Sequence, residues 1–183
     1  MRETRMEIES DFHRTVAFSD LDVRWDDGEG SDPHFRGWAC RHDTIDAYGT
    51  EFAAGCWSAG GLDGEPYALC WMHDPRQPVG IFRASDRAEG LWIEGWWDDT
   101  RDGRDARTRA KSRTAPELSV GFRSAIFDEE KANRIIAVKL VEVSQIVARM
   151  AAVPGSHMTS ARQTPSATDA RRIARARLRL KSI

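Results

Sequence analysis

No apolar run in the chain approaches the roughly 20 residues that span a bilayer, so no membrane helix is expected. The first fourteen residues, MRETRMEIESDFHR, are charged throughout and hold no apolar h-region, which predicts no secretory signal. Cysteine is scarce: Cys40, Cys56 and Cys70 are odd in number and never fall in a CxxC spacing. That argues against a disulfide framework and a zinc ribbon, and predicts buried free thiols in a reducing cytosol. Metal-ligand patterns are missing too. His34, His42 and Asp43 have no partner at ligand spacing and are expected on the surface or in loops. Asp98, Thr100, Asp102 and Gly103 open like a calcium loop, but Arg109 stands at position twelve, where a bidentate Glu is needed. No cofactor or metal is expected, and no internal repeat is present.

What remains is the composition of a globular protein. The chain has 183 residues, 40% hydrophobic and 31% charged, enough for one domain with its own core. Its net charge of −2 is unevenly placed. Residues 161–183 carry seven Arg and Lys against one acid, Asp169, while positions 1–160 hold 20 basic and 28 acidic residues. Such asymmetry points to a tail that touches something acidic, without naming it.

Residues 1–33 read as a loosely organised segment in which TVAFS is the one apolar run. Order is expected from FRGWACRH onward, followed by a loop in DTIDAYGTE and one or two helical turns in FAAGCWSAGG, ended by glycines. In YALCWMHD, Tyr67, Leu69, Trp71 and His73 alternate with Ala68, Cys70 and Met72, the two-residue period of a strand, which Pro75 and Pro78 are expected to stop. VGIFRASD and GLWIEGWW predict a hairpin around DRAEG, and RDGRDARTRAKSRTA a surface helix closed by Pro116. ELSVGFRSAIF and RIIAVKLVEVSQIV are further strands, separated by the polar DEEKAN. From Pro154 to Ala170 the composition reads as a linker, and DARRIARARLRLKSI as a basic helix. The expected organisation is a loose segment at 1–33, a β-rich domain of six or seven strands with a few helices at 34–150, and a linker with a basic helix at 151–183.

Three residues in separate strand contexts carry chemistry. A serine hydroxyl needs a base to become a nucleophile, an imidazole titrates in the right range, and a third group fixes the imidazole tautomer. Ser119, His73 and Glu142 supply those residue types. Each has a plainer reading: Ser119 as strand packing, His73 as a hydrogen-bonded strand end, Glu142 as the partner of a nearby arginine. An acid between apolar strand neighbours is costly unless paired or at a barrel rim.

The segments in their order resemble the prohead proteases of tailed bacteriophages, which are similar in fold to the herpesvirus assemblins. The resemblance runs from about Phe35 to Val147. GWACRHDTIDAYGTEFAAGCW resembles the family's opening, with its Asp46-x-Tyr48-Gly49 turn and the glycine near Gly55. LCWMHDPRQPVG resembles its apolar strand, His-Asp pair and Pro-Val-Gly. EGLWIEGWW, ELSVGF and LVEVSQIV resemble the strand that follows, the nucleophile segment and the Leu-x-Glu-Val-Ser segment. The chain departs from the family in QIVARMAAVPGSHM, which is longer than usual and polar at Gln145.

The resemblance implies an α+β, β-rich fold: a small, mostly antiparallel β-barrel of six or seven strands, surrounded by a few helices and assemblin-like. It implies a serine endopeptidase with Ser119 as nucleophile, His73 as base and then acid, and Glu142 as the orienting member. The assemblins use a second histidine in that third role, so His157 and Asp74 stand as alternatives. An arginine-bearing loop places oxyanion donors in the assemblins, which makes Arg149 a candidate here. The implied substrates are scaffold protein or the scaffolding segment of the major capsid protein, cut in the assembling prohead in the host cytoplasm, with self-processing in the Ser/Thr/Pro-rich linker. Assemblins work as dimers, so a homodimer is implied as well. Two other readings stay open. One is an inactive barrel serving capsid assembly. The other is a barrel that binds single-stranded nucleic acid through its seven tryptophans and basic tail, which the acidic body and Asp98 and Asp99 beside Trp96 and Trp97 oppose.

Overall fold

The structure, a computed structural model, describes residues 35–161. The expected strand at TVAFS, the loose segment 1–33, His34 and the basic helix all lie outside the described residues. Ten elements follow in order: β1 Phe35–Arg41, β2 Glu51–Phe52, α1 Cys56–Ala59, β3 Tyr67–Trp71, β4 Asp74–Arg87, β5 Gly90–Trp97, α2 Arg101–Lys111, β6 Glu117–Phe127, β7 Arg134–Ile146 and β8 His157–Ala161.

Seven strands pair in the order β7-β3-β4-β5-β1-β8-β6, and β6 returns to β7, so the sheet closes into a barrel. Closure removes most of the exposed edge that short strands would otherwise present. Neighbours are antiparallel except β3 and β7, which run parallel, as does the short β2 where it joins β7. This is the mostly antiparallel barrel with a few helices that the resemblance implied.

Alternation places the core. In β5, Leu91, Ile93 and Trp97 are buried while Trp92, Glu94 and Trp96 between them are partly exposed, the two-residue period of a strand with one buried face. These side chains meet Phe35, Leu69, Phe82, Leu118 and Val143 in one cluster. Trp57 and Trp97 belong to that core. The indole of Trp97 donates to Gln145 Oε1 at 2.9 Å, and the Gln145 amide donates to the carbonyls of Ala106 and Ala115. The polar residue of β7 is therefore a fully buried link from the barrel to α2. Helix α2 itself begins where Thr100 accepts from the Gly103 N–H at 3.1 Å, with Asp102 in its first turn and Arg109 and Lys111 in its last. The calcium-like pattern is thus a helix start.

Three expectations change. Pro75 and Pro78 do not stop a strand, because both lie inside β4. They precede Gly80, where pairing with β5 begins, and the register with β3 shifts around Cys70, so the missing N–H groups fall at an irregular, one-sided part of the ladder. The expected linker from Pro154 contains β8, which pairs with β1 along most of its length and touches β6 at Glu117. The folded body accordingly runs past 150 to at least Ala161. Lastly, His42 is buried, with Nδ1 3.3 Å from the Ala88 carbonyl and Nε2 3.3 Å from the Asp86 carboxylate. Asp43 is exposed, as expected, and pairs with Arg134.

Candidate active site

Strand β7 lies between β6 and β3, with Ser119 of β6 opposite Ser144 and Gly121 opposite Glu142. Because Leu118 and Val143 point into the core, Ser119, Gly121, Glu142 and Ser144 share the outer face of the barrel. That face is crossed by the turn between β3 and β4. Met72 and His73 are its two central residues and both have positive φ, 52° and 61°. Such a turn normally takes Asn-Gly, since side chains are strained in the left-handed region. Here β7 holds it down: Met72 N–H donates to the Gln145 carbonyl at 3.1 Å, and His73 N–H to Ser144 Oγ at 3.0 Å.

The side chains then link. His73 Nδ1 lies 2.7 Å from Glu142 Oε1, and Ser144 Oγ donates to Glu142 Oε2 at 2.8 Å. Glu142 has 15% of its side chain exposed against 44% for His73, so the acid is held and the imidazole faces outward. The hydrogen bond to Glu142 raises the His73 pKa from its ordinary value, against the lowering effect of burial. Gly121 makes room for this arrangement. A Cβ there would stand 2.3 Å from Glu142 Oε1, so a side chain would push the acid away from His73.

Of the three expected residues, the structure hydrogen-bonds His73 to Glu142 and brings Ser119 and His73 to one cavity of about 410 Å³. The alternatives for the third position are engaged elsewhere. Asp74 forms its bonds with Arg76 and Gln77, and the Arg76 contact first of all pulls its carboxyl down to about 2. His157 is exposed on β8, with Nδ1 2.9 Å from the Gly155 carbonyl, and it lines a different groove. Arg149 has φ 69°, and the backbone N–H groups of Arg149, Met150 and Ala151 all donate to the Glu117 carboxylate, at 2.6, 2.9 and 2.8 Å. These amides are already satisfied by Glu117 rather than turned to a developing charge. The cysteines offer no rival nucleophile, since all three are buried and free, and burial pushes the Cys56 and Cys70 thiols up to about 12 and about 11.

Ser144, Gly121 and Glu117 are participants that residue type alone did not single out. Ser144 had a signal, because it stands two residues after Glu142 and so shares its face. Glu117 had none, since its partners are backbone groups 32 to 34 residues away.

Comparison with known proteins bears on the family of the chain. No curated protein matches the chain. Among solved structures, ten chains match. One is the KSHV protease in complex with a hexapeptide phosphonate inhibitor, 15% identical with a TM-score of 0.43. That match covers 61% of this chain and 57% of the other, so the chain matches somewhat over half the length of that protease. The pattern that defines the caudovirus prohead serine proteases matches residues 19–170, which is most of the sequence. The chain belongs to the caudovirus prohead serine protease family.

Proposed function

We propose that this chain is a serine endopeptidase that trims scaffold protein, or the scaffolding segment of the major capsid protein, as a phage prohead matures in the host. The observation that carries the assignment is the 2.7 Å His73–Glu142 contact beside a cavity lined by both His73 and Ser119. Glu142 accepts the Nδ1 proton of His73 and so leaves Nε2 as the basic nitrogen. Ser119 loses its proton to that nitrogen as its oxygen attacks the scissile carbonyl, and the imidazolium then protonates the leaving amine. Water repeats the sequence on the acyl-enzyme. Ser144 positions both partners, since its hydroxyl accepts from the His73 backbone and donates to Glu142.

Strand addition suits the substrate. Beyond Glu117, β6 pairs with β7 on one side and, among the described residues, with no strand on the other. An extended peptide laid there gains main-chain hydrogen bonds next to Ser119. Self-processing is assigned to the part of the Ser/Thr/Pro-rich stretch beyond Ala161, because residues 157–161 are a barrel strand.

The test is co-expression with the capsid and scaffold proteins, read by intact mass, for the wild type, Ser119→Ala and His73→Ala. Cutting by the wild type alone is expected, with a loss on the order of 10⁶ in rate for either variant. Cutting that survives Ser119→Ala would remove Ser119 as the nucleophile.

A further inference from the structure

The cavity beside Ser119 has a lining that the chemistry of peptide cleavage does not by itself require. It runs from Ser119 along β6 to Phe127, and its far wall is Phe52 of β2 together with the turn that carries Tyr48. Val120, Phe122 and Ile135 add apolar surface to its lining. No Lys or Arg lines it, and its one carboxylate, Asp46, is already used. Asp46 accepts from the N–H groups of Tyr48 and Thr50, both at 2.8 Å, and from Thr50 Oγ1 at 2.6 Å. Away from His73, a charged side chain entering here would give up hydration with no side chain of opposite charge to meet it, which costs free energy. An apolar one would cover ring surface that now meets water: Tyr48 is 83%, Phe127 45% and Phe122 42% exposed.

From this lining we infer that the cavity is a specificity pocket for a large apolar side chain, branched or aromatic, within three residues of the cut bond. The inference rests on the assignment of Ser119 as nucleophile and adds the class of residue that the enzyme selects. The volume of about 410 Å³ falls within the ~300–1,000 Å³ range of ligand pockets. A strand presents alternate side chains to one face, so one such residue, or two spaced by two positions, enters the pocket.

The test profiles cleavage of a peptide library by mass spectrometry, alongside labelling of Ser119 by a fluorophosphonate. Labelling reports the nucleophile without reference to the pocket. The wild type is expected to favour Leu, Ile, Phe or Met over Asp and Lys at one position by about tenfold or more, the scale at which apolar pockets discriminate. Val120→Phe adds bulk to the lining and should turn that preference toward Ala and Gly. Tyr48→Asp changes only an exposed rim residue, so the fold survives, and the added carboxylate should raise Lys and Arg at the same position about tenfold. A wild-type preference for charged residues there, or a Tyr48→Asp profile identical to the wild type, overturns the pocket. Peptides cut while Ser119 stays unlabelled overturn the nucleophile assignment alone, and the profiles still decide the pocket.

Discussion

The imidazole of His73 is nearly half exposed, yet its pKa is raised, because the hydrogen bond to Glu142 outweighs the desolvation that burial brings. The sign has two consequences. Below about pH 6.5 the imidazole is charged in folded and unfolded chains alike, so the contact stabilises the fold in full, and that contribution is lost as pH rises through the raised folded value. In the proposed mechanism activity runs the other way, since His73 as base must be neutral to accept the Ser119 proton. The acid limb of kcat/KM should therefore lie above 6.5 in the wild type. Glu142→Gln should move it down and lower kcat on the order of 10⁴-fold, through loss of tautomer control. Rates measured from pH 5 to 9 decide this. An unmoved limb with kcat within threefold would mean that Glu142 does not orient His73. The same residue shows how far the sequence could be read. An acid between Val141 and Val143 needs a partner, and that much was visible. Which partner was not visible, because the turn that carries His73 reaches β7 across 69 residues of chain.

At the scale of elements, two short loops set the site and both are held by β-strand residues. The Met72–His73 turn keeps its strained backbone because Ser144 and the Gln145 carbonyl accept its two N–H groups. The loop after β7 is gathered by Glu117, and it goes on to supply Ala152 and Val153 to the wall of the Ser119 cavity. Glu117 stands two residues before Ser119 on the same strand face, so the loop is registered to Ser119 by one carboxylate. Glu117→Ala takes the carboxylate acceptor from three amides, of which Met150 N–H keeps a second, the Val147 carbonyl at 3.3 Å. Their hydrogen exchange should quicken on the order of tenfold, while amides of β4 and β5 keep their protection. Peptide cleavage should weaken mainly in KM, as a wall of the cavity loosens. Unchanged exchange at 149–151 would show that the loop is held by its other bonds, such as the Ala47 N–H to the Ala152 carbonyl. Most strands were legible as alternating runs. The loops were not, because their order comes from backbone groups meeting distant side chains, which no local pattern records.

For the whole molecule the deciding element is the one composition hid. HMTSA is short, half polar and set among Ser, Pro and Gly, so its residues carry little strand signal. Its partners stand 119 to 126 residues earlier in β1, from Trp38↔His157 to Phe35↔Ala161. Remove it, and β1 and the start of β6 become open edges, Met158 leaves the core cluster, and the barrel becomes a bent open sheet. A chain ending at Met150 keeps Ser119, His73 and Glu142 but loses that closure, whereas one ending at Ala170 keeps both. The shorter chain should unfold at least about 6 °C lower, since a lost strand is worth several kcal/mol and each shifts the midpoint by about 2–4 °C in a chain of 150 residues or more. It should also self-associate through its free edges. Thermal unfolding by circular dichroism, with sedimentation of both chains, measures the two effects. Equal melting points would mean that the six remaining strands close without β8. In that case the outer face holding Ser119 would owe its shape to β7 alone.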